Sequence, residues 1–322
     1  MKRFTIILAV AALAGFGSAR AQQFPTHVVR LLVPFAPGGG IDSLVRPLAE
    51  RLSLRWGQPV IVENKPGGNT TIAGDAVVRA EPDGYTLLVT SDSTITSNPF
   101  LFNNLPFDPM TALVPVTKLV DMYQMVVVHP SLPINSMQEL VKFAKQGSVR
   151  LNYGSYGNGS PPNLLFETLK TEASIDITQV PFRGAAPAVA ATVAGDVQMT
   201  LGSAATAGPQ VAAGKLRALA TGSGERLNSF PGVPTLKEVG FPNVDPRTWF
   251  GVFAPAGTPT EIVTKIQRDM AAIIDDPDFK QHFVEAFGYI AFGNTPQAFA
   301  ADIRDDLKYK KEMISVAGIK PE

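Results

Sequence analysis

Short apolar runs alternate with helical spacing along most of this chain. Residues 28–33 form an almost continuous apolar run and predict a buried strand. Between residues 41 and 56 the apolar positions Leu44, Val45, Leu48, Leu52 and Trp56 fall on one face of a helix. Residues 60–62 predict a second strand. Residues 71–79 predict a short helix that packs through Ala73, Ala76 and Val77. After the turn Pro82-Asp83-Gly84, residues 85–89 predict a third strand. The β-α-β-α-β order favours a parallel sheet covered by helices on both faces.

The pattern then restarts. Strands are expected over 125–128, 151–153, 177–180, 197–201 and 216–220. Helices are expected over 137–145, 164–171 and Ala185–Ala194. Ser136, with Glu139 three residues on, is the expected N-cap of the first of these. A strand over 250–253 is followed by helical patterns over Thr260–Ile274, 278–287 and Pro296–Val316. Residues 126–133 and 252–259 share a strand running into a Pro-rich turn and then a helix. That echo fits two similar domains with the chain crossing twice between them, although Pro at a helix start is common in any case.

The first residues bear on destination. Lys2 and Arg3 precede an apolar run over 4–15, and Ser18-Ala19-Arg20-Ala21 ends in small-x-small. This is the plan of a secretory signal peptide cut after Ala21. A membrane anchor is the alternative, but the run falls short of the about 20 apolar residues that span a bilayer. The remaining chain is expected to be soluble, not membrane-inserted, and periplasmic. Lys plus Arg and Asp plus Glu both number 28; losing residues 1–21 removes Lys2, Arg3 and Arg20 and no acid. A slightly acidic chain argues against nucleic acid as partner. The absence of Cys excludes disulfides, a thiol nucleophile and zinc-thiolate sites. At 322 residues, two domains are expected.

Two glycine-rich loops stand between a predicted strand and a predicted helix, one in each half. The first is Pro34-Phe35-Ala36-Pro37-Gly38-Gly39-Gly40-Ile41-Asp42. The second is Tyr153-Gly154-Ser155-Tyr156-Gly157-Asn158-Gly159-Ser160-Pro161-Pro162-Asn163. Unpaired N–H groups at a helix start, together with the helix dipole, make an anion site that needs no cation. Neither loop contains Lys or Arg, so the anion would be a carboxylate or similar group held by backbone amides and by Ser155, Tyr156, Asn158 and Ser160. The bland alternative is a pair of tight turns. Ser43 occupies the third position of a dinucleotide fingerprint, and no Gly-Lys-Ser/Thr exists, so nucleotide loops are excluded.

Catalysis finds little support. The three His (His27, His129, His282) have no metal-ligand spacing, and no Gly-x-Ser-x-Gly elbow occurs. Asp42 is either a base or, more commonly at such a place, a first-turn helix cap. Arg183 is able to grip a carboxylate bidentately or to sit in a structural ion pair. Ser91 and Thr94 follow the third strand, at the carboxyl end of a sheet, where open α/β sheets bind ligands.

The chain resembles the Bug-type periplasmic solute-binding proteins, the substrate-binding subunits of tripartite tricarboxylate transporters. The matching stretches are Val33-Pro34-Phe35 with Pro37-Gly38-Gly39 and Asp42; Val62-Glu63-Asn64-Lys65-Pro66-Gly67-Gly68; Pro82-Asp83-Gly84-Tyr85-Thr86-Leu87; Leu105-Pro106-Phe107-Asp108-Pro109; Gly154-Ser155 with Gly157 and Gly159; Val180-Pro181-Phe182-Arg183-Gly184; Gly214-Lys215-Leu216-Arg217-Ala218-Leu219-Ala220; Pro231-Gly232-Val233-Pro234-Thr235; and Ala254-Pro255-Ala256-Gly257-Thr258-Pro259. They run nearly end to end.

The resemblance implies an α/β, two-lobed periplasmic-binding-protein-like (type II) fold, each lobe a mainly parallel sheet flanked by helices, with the ligand cleft between them. Lobe I is expected from residues 22–122 with 226–322, and lobe II from 123–225. It implies a small carboxylate as ligand, membrane subunits of a tripartite transporter as partners, a monomer, and no cofactor, metal or catalytic residue. Carried onto this sequence, the ligand-binding set is Phe35, Ala36, Pro37, Gly38, Gly39 and Asp42 from lobe I. From lobe II come Ser155, Tyr156, Gly157, Asn158, Gly159, Ser160 and Asn163. Ser91, Thr94, Arg183, Gly184 and Ser203 form the expected distal wall. Asn163 departs from the His often found at its position and cannot become charged. A ligand-presenting sensor for a receptor kinase and a secreted α/β enzyme using the same cleft are the alternatives.

Overall fold

The computed structural model describes residues 24–147, 149–242 and 248–321. The expected signal peptide and its cleavage point lie outside the described residues. Two sheets carry the architecture. The first holds β1 (Val29–Val33), β2 (Val60–Asn64), β3 (Thr86–Ser91), β4 (Leu113–Met122), β10 (Thr248–Pro255) and β11 (Tyr289–Ala291), in the order β11-β4-β10-β3-β1-β2. The second holds β5 (Gln124–Val128), β6 (Leu151–Ser155), β7 (Ile177–Pro181), β8 (Met199–Ser203) and β9 (Arg217–Thr221), in the order β7-β6-β8-β5-β9. The chain leaves the first sheet after Met122, enters the second at Gln124, and is back in the first by Thr248.

The parallel pairing expected from β-α-β order holds where that order holds: β1 with β2 and β3, and β6 with β7 and β8. The crossing strands break it. β10 runs antiparallel to β3 and β4, and β5 antiparallel to β8 and β9. A strand arriving from the other sheet has no crossover helix to turn it round. Both sheets are therefore mixed. The strand β4 gives no clear sequence signal because it carries Pro115, Lys118 and Asp121. Its place is set by β10, whose register shifts at Phe250/Gly251 and Val252/Phe253 absorb the irregularity.

Among the described residues, seven helices of eight or more residues position the rest: α1 (Gly40–Trp56), α2 (Thr71–Val78), α3 (Met137–Gln146), α4 (Pro161–Ala173), α5 (Ala185–Ala194), α6 (Thr260–Ile274) and α7 (Pro296–Val316). Alternation along β1 explains the layering. Leu31 and Val33 pack with Leu44, Leu48 and Leu52 of α1, whereas Leu32 faces the opposite layer with Val77, Phe253 and Phe299. The second sheet has its own core around Val126, Tyr153, Phe166 and Leu201. The N-cap expected for α3 is present: Ser136 Oγ accepts from Glu139 N at 3.1 Å, and Glu139 Oε2 accepts from Asn135 N at 2.6 Å. The single helix expected over 278–287 is instead three short turns, Pro277–Phe279, Lys280–Val284 and Glu285–Phe287. They end at Gly288 (φ 69°), which sends the chain into β11.

Candidate functional site

A small cavity of about 40 Å³ lies between the two sheets. Phe35, Gly39, Gly40 and Ile41 line it from the first glycine loop and the start of α1. Ser91, Ser93, Thr248 and Phe250 line it from the ends of β3 and β10, and Met122 and Gln124 from the crossover. Tyr156, Pro161, Ala185 and Ser203 line it from the second sheet's loops. No Asp, Glu, His, Lys or Arg is among these lining residues.

The first loop is built to present amides. Asp42, buried in the first turn of α1, accepts from Gly38 N at 2.9 Å and from Asn64 Nδ2 at 3.0 Å, and pairs with Arg46 at 3.2 Å. Asn64 Nδ2 also holds the Phe35 carbonyl at 3.0 Å, and Gly38 turns the chain at φ 82°. Asp42 is thus engaged in shaping the loop through Gly38, Asn64 and Arg46; no side chain caps the helix at its N-cap residue Gly39, and Asp42 does not line the cavity. The amides of Gly39, Gly40 and Ile41 lie at the N-terminus of a seventeen-residue helix, where no intrahelical acceptor exists. All three residues line the cavity.

The second loop differs from expectation. Its amides are spent within the loop: Tyr156 N donates to Ser160 Oγ (3.2 Å), Gly157 N to Ser155 Oγ (3.3 Å), and Gly159 N to Asn163 Oδ1 (2.8 Å). The first two helical positions of α4 are Pro161 and Pro162, which have no N–H at all. The loop therefore lines the cavity with the Tyr156 and Pro161 side chains. A different helix start faces α1 across the cavity. Ala185 opens α5, follows Gly184 at φ 142°, and lines the cavity.

The other expected residues divide by position. Phe35, Gly39, Ser91, Tyr156 and Ser203 line the cavity, whereas Pro37 and Gly38 are exposed at its rim. Arg183 is exposed and does not reach the cavity; its carbonyl accepts from Ala36 N at 3.1 Å, tying the two halves together beside Gly184. Thr94 donates to Thr70 at 2.8 Å and stays behind the cavity wall. Ser155 accepts from Gln179 Nε2 at 2.7 Å, Ser160 donates to the Gly157 carbonyl at 2.6 Å, and Asn163 donates to Tyr153 Oη at 3.0 Å. These three hold the loop's shape. Gly157 and Asn158 lie in a neighbouring groove against Asn69, whose Nδ2 donates to the Asn158 carbonyl at 2.8 Å. Gly159 packs against Leu101, whose cluster with Leu164 and Ile314 is a further contact between the halves.

Sequence reasoning missed Gly40, Ile41, Ser93, Met122, Gln124, Pro161, Ala185, Thr248 and Phe250 as lining residues. Gly40 and Ile41 were legible as the continuation of the glycine loop. Gln124 and Met122 were not, because nothing local marks the point where the chain crosses between sheets.

Burial dominates the electrostatics. It pushes the Tyr156 phenol well above its ordinary pKa, and that of Tyr289, which donates to the Gly40 carbonyl at 3.0 Å, up to about 12. Both are neutral donors at any physiological pH. Behind the floor, Lys310 of α7 pairs with buried Asp92 at 2.5 Å, and Asp92 is also bonded by Thr248. Burial works against the Lys310 ammonium, but Asp92 and Asp306 outweigh it and raise its pKa. The ion pair fixes the floor and offers no charge to the cavity.

The model of the tripartite tricarboxylate transporter family receptor (TctC) matches residues 44–319. A UPF0065 protein of Bordetella pertussis is 32% identical over 100% of both chains, and the protein BugT of the same organism is 32% identical over 90% of this chain and 87% of its own. Among solved structures, the periplasmic binding protein BugD superposes with a TM-score of 0.88 at 28% identity, covering 93% of this chain and 100% of that one. MatC from Rhodopseudomonas palustris with bound malate gives 0.85 at 29%, covering 90% and 100%. An R. palustris protein with adipate gives 0.89 at 32%, covering 93% and 100%. With two α/β halves around a cleft, and a family match that spans most of the sequence, the chain belongs to the tripartite tricarboxylate transporter receptor family of solute-binding proteins.

Proposed function

We propose that this protein captures a small carboxylate in the cavity between its two sheets, outside the cytoplasmic membrane, and delivers it to the membrane subunits of a tripartite transporter. One observation carries the reading. The amides of Gly39, Gly40 and Ile41 at the start of α1 border a cavity that holds no charged side chain, so an anion is held by neutral donors and the helix dipole. The start of α5 at Ala185 adds positive potential from the other half. Such a site binds a carboxylate without burying a fixed ion pair and its desolvation penalty. Malate and adipate in two structural neighbours fit the same class.

The roles of the expected residues follow from their positions. Gly39 donates to the carboxylate, Ser91 and Ser203 offer hydroxyls, and Phe35 and Tyr156 exclude water. Ala36, Asp42, Asn158, Arg183 and Asn163 act through loop shape and contacts between the halves. Residues 22–122 with 226–322 form one lobe and 123–225 the other, and the ligand stabilises the closed arrangement. The lining residues lack any side chain suited to general acid–base work at neutral pH, which favours capture over turnover. A secretory signal peptide over residues 1–21 accounts for export.

A thermal-shift screen tests this, with mono-, di- and aromatic carboxylates against neutral sugars. A ligand present at about 100 times its Kd adds roughly 2.7 kcal/mol to the folded state and raises Tm by several degrees. A response flat across all carboxylates, or one confined to sugars, overturns the reading.

A further inference from the structure

Gln124 is the first residue of β5, at the point where the chain passes from one sheet to the other. Its backbone is held on both sides: it pairs with Ser203 of β8, and its carbonyl accepts from Gly222 N at 3.0 Å. Its side chain is 1% exposed and lines the cavity. Tyr156 Oη lies 2.6 Å from Gln124 Oε1 and 3.0 Å from the Leu201 carbonyl. The shorter distance fits a hydroxyl donating to a carbonyl oxygen, whereas an amide N–H donor would sit at about 2.9 Å. The amide is thereby oriented, and its Nε2 is left buried with no hydrogen-bond partner. A buried, unsatisfied donor is unfavourable and uncommon.

The rest of the lining says what would satisfy it. Ser91 and Ser203 already accept from the backbone amides of Ser93 (3.3 Å) and Thr206 (3.3 Å). No carboxylate among the lining residues would neutralise a ligand ammonium. An acceptor oxygen suits the Nε2; an ammonium finds no partner charge.

Resting on the carboxylate-capture reading, we propose that Gln124 is the specificity-determining contact of this cavity: its Nε2 donates to a second oxygen on the ligand, so the substrates are hydroxy- or oxo-carboxylates, not amino acids. Closure without that oxygen leaves the amide unpaired. Gln124 therefore ties recognition to the point where the chain passes from one sheet to the other.

Isothermal titration of the mature protein and of Gln124→Met tests this with two matched series. One is succinate, malate and aspartate; the other is butyrate, 2-hydroxybutyrate, 2-oxobutyrate and 2-aminobutyrate. Met keeps the side chain's length and apolar volume and removes the donor. In the wild type, the oxygen-bearing member of at least one series should bind at least tenfold tighter than its unsubstituted and amino analogues. In Gln124→Met that preference should collapse to less than about threefold. Thermal unfolding of the ligand-free variant, which should stay cooperative, reports on folding separately.

An equal preference in wild type and variant, or a preference for the amino member, overturns the inference. So does failure of both series. In each of these cases the broader screen still decides the carboxylate reading separately. A carboxylate that binds there while these series fail leaves that reading standing and the role of Gln124 refuted.

Discussion

Asn69 offers a measurement of how much a single bridge between the halves contributes to ligand affinity. It sits between β2 and α2 with φ 47°, a left-handed conformation uncommon for a residue with a side chain. Its Nδ2 donates to the Asn158 carbonyl at 2.8 Å and to Asn98 Oδ1 at 2.9 Å. The first bond crosses to the second sheet's loop and exists only while the halves are together. The second stays on one side. Substitution Asn69→Gly removes both and leaves the backbone conformation accessible.

One net hydrogen bond is worth about 0.5–1.5 kcal/mol. Losing the crossing bond lowers the closed-to-open ratio by that amount, and apparent affinity falls by the same factor, about 2- to 12-fold. The bond to Asn98 and the extra chain entropy of Gly weaken both states alike. They should lower Tm by a few degrees without entering Kd. Isothermal titration gives the affinity and thermal unfolding without ligand gives the stability. Stopped-flow dissociation should show the loss mainly in the off-rate, since the crossing bond is made only in the closed state. A Kd within 1.5-fold of wild type, alongside a lowered Tm, would refute the reasoning: the Asn158 contact would then persist in the open state or contribute nothing to closure.

Two further outcomes are expected. Gly40→Ala places a methyl group 2.9 Å from Tyr289 Oη, 3.1 Å from Met122 Sδ and 3.2 Å from Ser203 Oγ, at the seat of the proposed anion. Overpacking of this kind costs about 1–3 kcal/mol, and carboxylate affinity should drop at least tenfold; unchanged affinity would place the ligand elsewhere. Asp269 is buried, which works against its charge, but donors from Lys265, Trp56 and Arg55 prevail and hold its pKa below the ordinary carboxylate value. Its contribution to stability is thus present above its unfolded pKa, about 4, and lost as pH falls through the lower folded value. Chemical denaturation from pH 6 to pH 2 should show Asp269→Asn flattening the acid limb below about pH 4, and an unchanged slope there would count against it.

Local sequence determined the elements and the chemistry of the first loop. Period-two alternation gives β1 its two packing faces, and helix spacing gives α1 its buried stripe through Leu44, Leu48 and Leu52. The run of glycines before Ile41, with no Lys or Arg in the loop itself, was enough to mark a set of unpaired helix-start amides, because these are a property of the adjacent backbone alone. Tertiary structure decided the rest. The donors of the second loop turned inward onto Ser155, Ser160 and Asn163, and the start of α5 took the facing position instead. No local pattern encodes that choice, since it depends on which loop end approaches α1 when the two sheets meet. β4 became a strand because β10 supplied an antiparallel partner. Gln124 became a cavity residue because the crossover falls there, and a position between two domains has no periodicity of its own. Periodicity and capping act over a few residues and are written in the sequence, whereas a site shared by two halves depends on their docking, which is settled by contacts far apart along the chain.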